Sequence, residues 1–389
     1  MAREIPLTLY LHLPWCVRKC PYCDFNSHRA GDAPPRERYL QALLADLEVE
    51  ADRAASRPLE AIFIGGGTPS LFTGSEIGRL LDAAARLFAL ADDVEVTLEA
   101  NPGTVERGRF GDYRSAGINR VSLGAQSFDD ASLSALGRIH TADDTRRAVD
   151  EARDAGIDNI NLDLMFALPR QDVAGAIADL RAALALRPEH LSHYQLTLEP
   201  NTRFFADPPP LPDVDTAWAM QERCHELLEA AGVAQYEVSA FARPGRECRH
   251  NLNYWEFGDY LAAGAGAHGK ITGPDGVVRR YARPASPRAY METALEGRTR
   301  EPEWVVAGKD LAFEYILNAL RLPRGFETTD FTARTGLDPS VLEPGLEVAL
   351  ARGLIERTDG GGLRPTPLGM RFLNDLQSLF LPSPATAAG

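Results

Sequence analysis

Six short apolar runs, at residues 7–13, 61–64, 94–98, 120–123, 160–165 and 190–196, punctuate the first half of the chain. Helical patterns fill the gaps at 36–55, 75–90, 142–155 and 173–186. Runs this rich in Val, Ile, Leu and Phe suit strands buried on both faces of a parallel sheet. Repeated strand–helix units predict an α/β fold, a partial (β/α)6 barrel of the TIM type, in preference to a sandwich. A length of 389 residues suggests two or three domains. We expect the barrel and its cofactor site over 1–235 and an irregular connecting region, rich in Gly, His and aromatics, over 236–300. The prolines of 207–213 read as a crossing loop before a helix over 214–231. A mostly helical, winged-helix-like domain is expected over 301–380, with 353–357 and 362–366 paired as a small wing, and 381–389 should fray as a disordered tail.

The first apolar run leads directly into Trp15-Cys-Val-Arg-Lys-Cys-Pro-Tyr-Cys-Asp-Phe25. Thiolates at Cys16, Cys20 and Cys23 supply three of the four ligands that a cubane iron–sulfur cluster or a tetrahedral metal needs. Three ligands leave one metal open to a small molecule. A structural zinc site usually shows a second C-x2-C pair, which is absent here, and a disulfide framework needs more than five cysteines in 389 residues. Chance clustering is the remaining alternative. No run approaches the ~20 apolar residues that span a bilayer, and the start lacks the apolar region of a signal peptide. With few cysteines, this points to a reducing cytoplasm. The formal charge of −14 argues against broad nucleic-acid binding. Arg279, Arg280, Arg283 and Arg288 read as a solvated face.

In a βα barrel the chemistry sits beyond the C-terminal ends of the strands. Gly65-Gly-Gly-Thr-Pro-Ser70 follows the second run, where bare backbone N–H groups are expected to approach a ligand closely. Glu99 ends the third. Gln126 ends the fourth, with Arg138 beyond it; Asp163 ends the fifth, and Gln195 and Glu199 lie at the sixth. Singly, each reads equally well as a turn or a helix cap. Their shared location is the signal.

The C-x3-C-x2-C spacing after a first barrel strand resembles the radical S-adenosylmethionine proteins. Tyr10-Leu-His-Leu-Pro-Trp-Cys16, Gly65-Gly-Gly-Thr-Pro69, Leu136-Gly-Arg-Ile-His140 and Asn161-Leu-Asp-Leu-Met165 make most of the chain similar to the oxygen-independent coproporphyrinogen oxidase group. That resemblance implies a 4Fe–4S cluster on Cys16, Cys20 and Cys23, whose open iron chelates S-adenosylmethionine. It implies contacts to S-adenosylmethionine from Tyr10, Gly66, Gly67, Thr68 and Glu99, with Tyr22, Gln126, Arg138 and Asp163 lining the same cavity. Two departures bear on activity: Phe25 stands where the oxidases carry a fourth cysteine, and only nine residues precede Tyr10, where they have an extra segment.

Cys23-Asp-Phe-Asn-Ser-His28 together with His250-Asn-Leu-Asn-Tyr-Trp255 instead resembles the haem-chaperone branch of the group. There His250 is implied as a ligand to haem iron, with Tyr254 and Trp255 as flat apolar surface. By themselves these residues fit equally a capped turn with two aromatics tucked into the core. Cys224 and Cys248 read as buried thiols. The branch implies haem as cargo, passed to an acceptor protein such as a membrane-bound respiratory haem protein through peripheral contact. An electron donor is implied if the cluster is redox active. The alternative, from a different class, is a radical enzyme acting on a porphyrinogen.

Overall fold

The computed structural model describes residues 5–31, 33–104, 109–299 and 302–382. All but the first two residues of the expected tail, 381–389, lie outside the described residues. The architecture starts from the alternation in Leu7-Thr-Leu-Tyr-Leu-His-Leu13, which forms β1 (Leu7–Leu13). Successive side chains of a strand point to opposite faces. Leu7, Leu9, Leu11 and Leu13 therefore join the main apolar core, while Thr8, Tyr10 and His12 occupy the other face. The same division runs through β2 (Leu59–Gly66), β3 (Leu90–Ala100), β4 (Arg120–Gln126), β5 (Ile160–Phe166) and β6 (His190–Gln195), each parallel to the last.

Register aligns the second face across the strands. Tyr10 lies opposite Phe63, Phe63 opposite Thr97, and Thr97 opposite Arg120. One level on, Glu99 lies opposite Ser122, Ser122 opposite Asn161, and Asn161 opposite His190. Both faces are covered, as expected, but the inner one is polar and titratable. It is a site wall as much as a core.

The principal outer helices are α1 (Arg36–Ala54), α2 (Gly74–Leu87), α3 (Ala142–Asp154), α4 (Val173–Ala185) and α5 (Val214–Ala230). Four of the five start at a side-chain cap, and α1 follows Pro35 instead. Thr73 with Glu76 and Thr141 with Asp144 form capping boxes, and Asp172 and Asp213 cap the next two.

The stretch 236–300, which the sequence reads as irregular, carries regular structure. After β7 (Ala234–Glu237) and β8 (Ala240–Ala242) comes a short helix, α6 (Arg249–Trp255). Then β9 (Asp259–Ala263), β10 (His268–Thr272) and β11 (Val278–Ala282) follow, with β12 (Glu303–Val306) beyond. All twelve strands form one sheet, in the order β12-β11-β10-β9-β1-β2-β3-β4-β5-β6-β8-β7. The sheet is an open, partial barrel. Strands of three to five residues between glycine turns are too short for periodicity to reveal. Gly264 also has a positive φ of 112°, and a Cβ there would lie 2.4 Å from the His12 carbonyl oxygen. Only glycine lets this turn pass so close to β1.

The four arginines near 280 are not a free basic face. Arg283 is fully buried, with both Asp46 and Glu50 of α1 as partners. Arg279 pairs with Asp275, Arg280 with Glu314, and Arg288 with Glu292. Arg283 ties the end of β11 to α1 and Arg280 ties the strand to Glu314, whereas the Arg279 and Arg288 pairs are local and Arg288 stays exposed, as expected of a solvated residue.

A second apolar core, including Leu311, Tyr315, Ile316, Phe331 and Leu346, organises the C-terminal part. It contains α7 (Gly308–Ala319), the antiparallel pair β13 (Ile355–Arg357) and β14 (Leu363–Pro365), and the helices α8 (Pro367–Arg371) and α9 (Leu373–Ser378). Among the described residues, no helix is long and apolar enough to cross a membrane.

Candidate functional site

The cysteine loop leaves β1 through Pro14, and its two ends are zipped together. Trp15 and Cys16 pair in parallel with His28 and Arg29, and the His28 and Ala30 amides donate to the Pro14 and Cys16 carbonyls at 2.7 and 2.8 Å. Lys19 Nζ donates to the Phe25 and Ser27 carbonyls. Asn26 Nδ2 donates to Ala265 and Ala285, anchoring the loop to the turns that flank β9 and β11. The loop is therefore shaped by backbone and side-chain hydrogen bonds that do not involve the thiols. Cys16, Cys20 and Cys23 are all free, and all three open onto one cavity of about 970 Å³ at the C-terminal ends of the strands. Burial pushes the Cys16 and Cys23 thiols up.

Among the described residues, no three His, Cys, Asp or Glu side chains are placed to hold a single metal ion. In a cubane each thiolate takes a different iron, so the sulfurs need not converge on one point. Three free thiols on one wall, with no fourth beside them, match a cluster with one open iron.

The glycine run differs in detail from the sequence expectation. Its N–H groups are not bare: Gly66 N–H donates to Glu99 Oε2 at 3.0 Å, Gly67 N–H to Leu13 O and Thr68 N–H to Trp15 O, each at 2.8 Å. The close approach that glycine permits is to the chain itself, since a Cβ on Gly67 would lie 2.7 Å from Trp15 O. Gly66, Gly67 and Thr68 still line the cavity. They form a floor between the cysteine loop and β3.

Glu99, Gln126, Arg138, Asp163 and Tyr22 all reach that cavity. Burial, reinforced by Asp163, raises the Glu99 carboxyl to about 8. Asp163 is raised as well, again chiefly by burial. It accepts from Ser122 Oγ at 3.2 Å and from Asn161 Nδ2 at 2.8 Å. Tyr194 donates to Gln126 Oε1 at 2.7 Å, and Arg138 reaches Cys20 Sγ at 3.7 Å and the Gly124 carbonyl at 2.8 Å. Two buried carboxyls facing a cavity beside the thiols make it receptive to a cation.

This electrostatic arrangement predicts a pH dependence. The native Glu99 keeps a proton that the unfolded chain releases above about pH 4.5, so its contribution to stability declines as pH rises from there to about 8. Urea unfolding of the cluster-free protein across that range should show a slope that Glu99→Gln flattens. An unchanged slope in the variant would assign the effect elsewhere.

Two expected residues are placed differently. Tyr10 is not on the cavity wall: its hydroxyl bonds His12 Nδ1 at 2.9 Å, and His12 Nε2 meets the Asn26 carbonyl at 2.9 Å. Tyr10 thus connects to the cysteine loop through His12. His250, expected as a haem ligand, is 4% exposed and also off the cavity. Its ring packs beside Phe63, at 5.0 Å, and Tyr10, at 6.1 Å, which also face each other at 6.3 Å, with Tyr254 edge-on at 4.9 Å. Burial lowers it to about 3, so it is neutral, and its Nδ1 has no partner. The plain reading of its motif, aromatics tucked into a core, describes this placement. Cys224 and Cys248 are buried, and Cys248 Sγ donates to Glu95 Oε1 at 3.6 Å.

Sequence reasoning missed the contribution of the C-terminal part. Residues 370–375, at the junction of α8 and α9, and Arg321 line the same cavity. The sequence offers little signal for this: 367–379 reads as one continuous helix, and the break at Phe372, which leaves that ring 44% exposed, appears only in the fold.

Comparison with known proteins agrees with this geometry. Residues 10–180 match the model of the radical SAM superfamily, and residues 306–372 match that of the HemN C-terminal domain. The chain is 49% identical over 382 residues to the heme chaperone HemW of Escherichia coli (strain K12), covering 98% of this chain and 100% of that protein. It is 46% identical to the HemW of Haemophilus influenzae, over 98% of this chain and 99% of the relative. Among solved structures, the coproporphyrinogen III oxidase HemN of Escherichia coli superposes with a TM-score of 0.82 at 22% identity, covering 97% of this chain and 90% of the other. That likeness establishes the shared fold, a radical SAM barrel with a C-terminal domain. On the full-length identity to the HemW proteins, the chain belongs to the HemW family of the radical SAM superfamily.

Proposed function

We propose that this chain is a haem chaperone that carries a 4Fe–4S cluster on Cys16, Cys20 and Cys23, binds S-adenosylmethionine beside it, and delivers haem to an acceptor protein. The observation that carries the cofactor half is the opening of three free thiols onto one large cavity walled by Glu99, Asp163, Gln126 and Arg138. The haem half rests on the names of the relatives that match across the whole chain. When bound, the cluster would supply an iron for chelation and an electron for transfer. Gly66, Gly67 and Thr68 would bound the cofactor on one side. Glu99 and Asp163 would offer carboxyl groups to its cationic centre, and Tyr22, Gln126 and Arg138 would close the far wall. Tyr10 would act by holding His12 and, through it, the cysteine loop. We place the protein in the cytoplasm, with haem, an electron donor if the cluster turns over, and a membrane-bound respiratory acceptor as its partners.

Anaerobic incubation with reductant, S-adenosylmethionine and coproporphyrinogen tests this against the radical-enzyme reading. We expect no protoporphyrinogen, because Phe25 occupies the position of the oxidases' fourth cysteine. Accumulation of product over many turnovers would make the protein an oxidase. A second outcome concerns His250, which we assign a packing role. His250→Phe should keep the aromatic stack and retain haem binding with an unchanged Soret band, while His250→Ala should lower thermal stability by opening a core cavity. Loss of the wild-type Soret band in His250→Phe, with normal stability, would restore His250 as a ligand.

A further inference from the structure

The cavity is larger than its strand-end residues require. Its outer part is walled by elements that share nothing with the thiols, the glycine run or the buried carboxyls: Gln221 of α5, the turn at Val238 and Ser239, and the C-terminal residues. The chain breaks between α8 and α9 at Phe372, with φ −111° and ψ 44°, and this break puts residues 370–375 on the cavity wall. Phe372 is 44% exposed there, and Phe25, on the cysteine loop, is 59% exposed at the same cavity. Exposed aromatics at the edge of a concave site favour a flat apolar ligand.

The polar groups of this outer wall are also specific. Arg321 lies 4.2 Å from the Trp255 ring and donates from Nη2 to Glu237 at 3.1 Å, which fixes its guanidinium at the cavity. Trp255 of the His250 motif thereby bears on the site through Arg321, although His250 itself does not reach it. His193 lines the cavity with its ring stacked on Phe166 at 4.8 Å, and its Nδ1 is enclosed without a partner. Met370, half-buried and bearing a thioether, lines the same cavity.

An apolar plate, a fixed cation and a thioether together match the three chemical parts of an iron porphyrin: its macrocycle, its carboxylates and its metal. We infer that haem seats in this outer part of the cavity, between the barrel mouth and residues 370–375, with Met370 as an iron ligand and Arg321 facing a propionate. This rests on the haem-chaperone reading above and names where that cargo is held. Thioether sulfur is an established haem ligand type, and leucine is close enough in volume to replace Met370 without disturbing packing.

The test is a titration of ferric haem into the cluster-loaded full chain, comparing wild type, Met370→Leu and Met370→His by Soret position, thioether-to-iron charge-transfer absorbance and affinity. We expect Met370→Leu to lose the charge-transfer band and at least about tenfold in affinity, the scale on which even outer-shell partners act on metal sites. Met370→His should recover the affinity with a shifted spectrum, and both variants should bind S-adenosylmethionine like wild type. If Met370→Leu keeps the wild-type spectrum and affinity, the seat is wrong while the chaperone reading stands. If the variant loses S-adenosylmethionine binding as well, Met370 is structural and the seat is again overturned. If wild type itself leaves the haem spectrum unchanged, the chaperone reading falls and the seat with it.

Discussion

Replacing Cys20 with serine should abolish the cluster while leaving the fold in place. A serine oxygen is a poor ligand for soft, sulfide-bridged iron, so two remaining thiols would have to hold a cube that three are placed to hold. The loop does not depend on Cys20 for its shape. It is closed by the strand pair of Trp15–Cys16 with His28–Arg29 and tethered by Asn26 to Ala265 and Ala285. The expected result after anaerobic reconstitution is loss of essentially all visible cluster absorbance, with the far-ultraviolet spectrum and thermal midpoint of the cluster-free protein unchanged. Cys248→Ser, a thiol that opens on Glu95 and not on the cavity, should keep a full complement of iron and sulfide. Retention of a full cluster in Cys20→Ser would remove the three-thiol site.

The second large effect is expected from Gly66→Ala. Gly66 has φ +124°, where an L residue pays roughly 1–3 kcal/mol in backbone strain alone. The added Cβ would also lie 2.8 Å from His12 Cε1 and 2.8 Å from Leu13 O. The His12 ring has nowhere to go, because Tyr10 holds its Nδ1 and the Asn26 carbonyl its Nε2. Relief must therefore come from β1 or from the cysteine loop, and either movement disturbs the cavity floor. We expect S-adenosylmethionine binding to weaken by about a hundredfold or more, the cost of roughly 2.7 kcal/mol of misplaced floor, with a lower thermal midpoint. Gly111→Ala, whose Cβ meets nothing within 4 Å, is the matched control and should bind normally. Equal affinity in the two variants would show that the glycine run does not shape the cofactor site.

The barrel was legible because strand and helix periods are local properties. The first apolar run and β1 coincide at 7–13, and the other five barrel strands fall on the remaining runs to within a few residues. Local patterning says nothing about which face of a buried strand is chemical. Glu99 and Asp163 were legible as strand-end residues, but Thr97, Ser122 and Asn161 join them in one inner row only when register sets the strands side by side. Similarly, Gly65–Gly67 stood out as unusual, but what its glycines make room for is the chain itself: Glu99 and Phe63 at Gly65, His12 and Leu13 at Gly66, and Pro14 and Trp15 at Gly67.

By itself, the sequence determined a parallel barrel, a three-thiol loop and the strand-end residues gathered around it. Each follows from spacing along one stretch of chain. Only the tertiary structure decided the roles of residues far apart in sequence. His250 became a ring packed against Phe63 and Tyr10, Arg283 became the buried counter-ion of α1, and residues 370–375 became part of the lining of the cavity that Cys16, Cys20 and Cys23 open onto. The reason is that a side chain's chemistry depends on what desolvates it and what charge it meets, and for these residues both are supplied by segments distant in the chain.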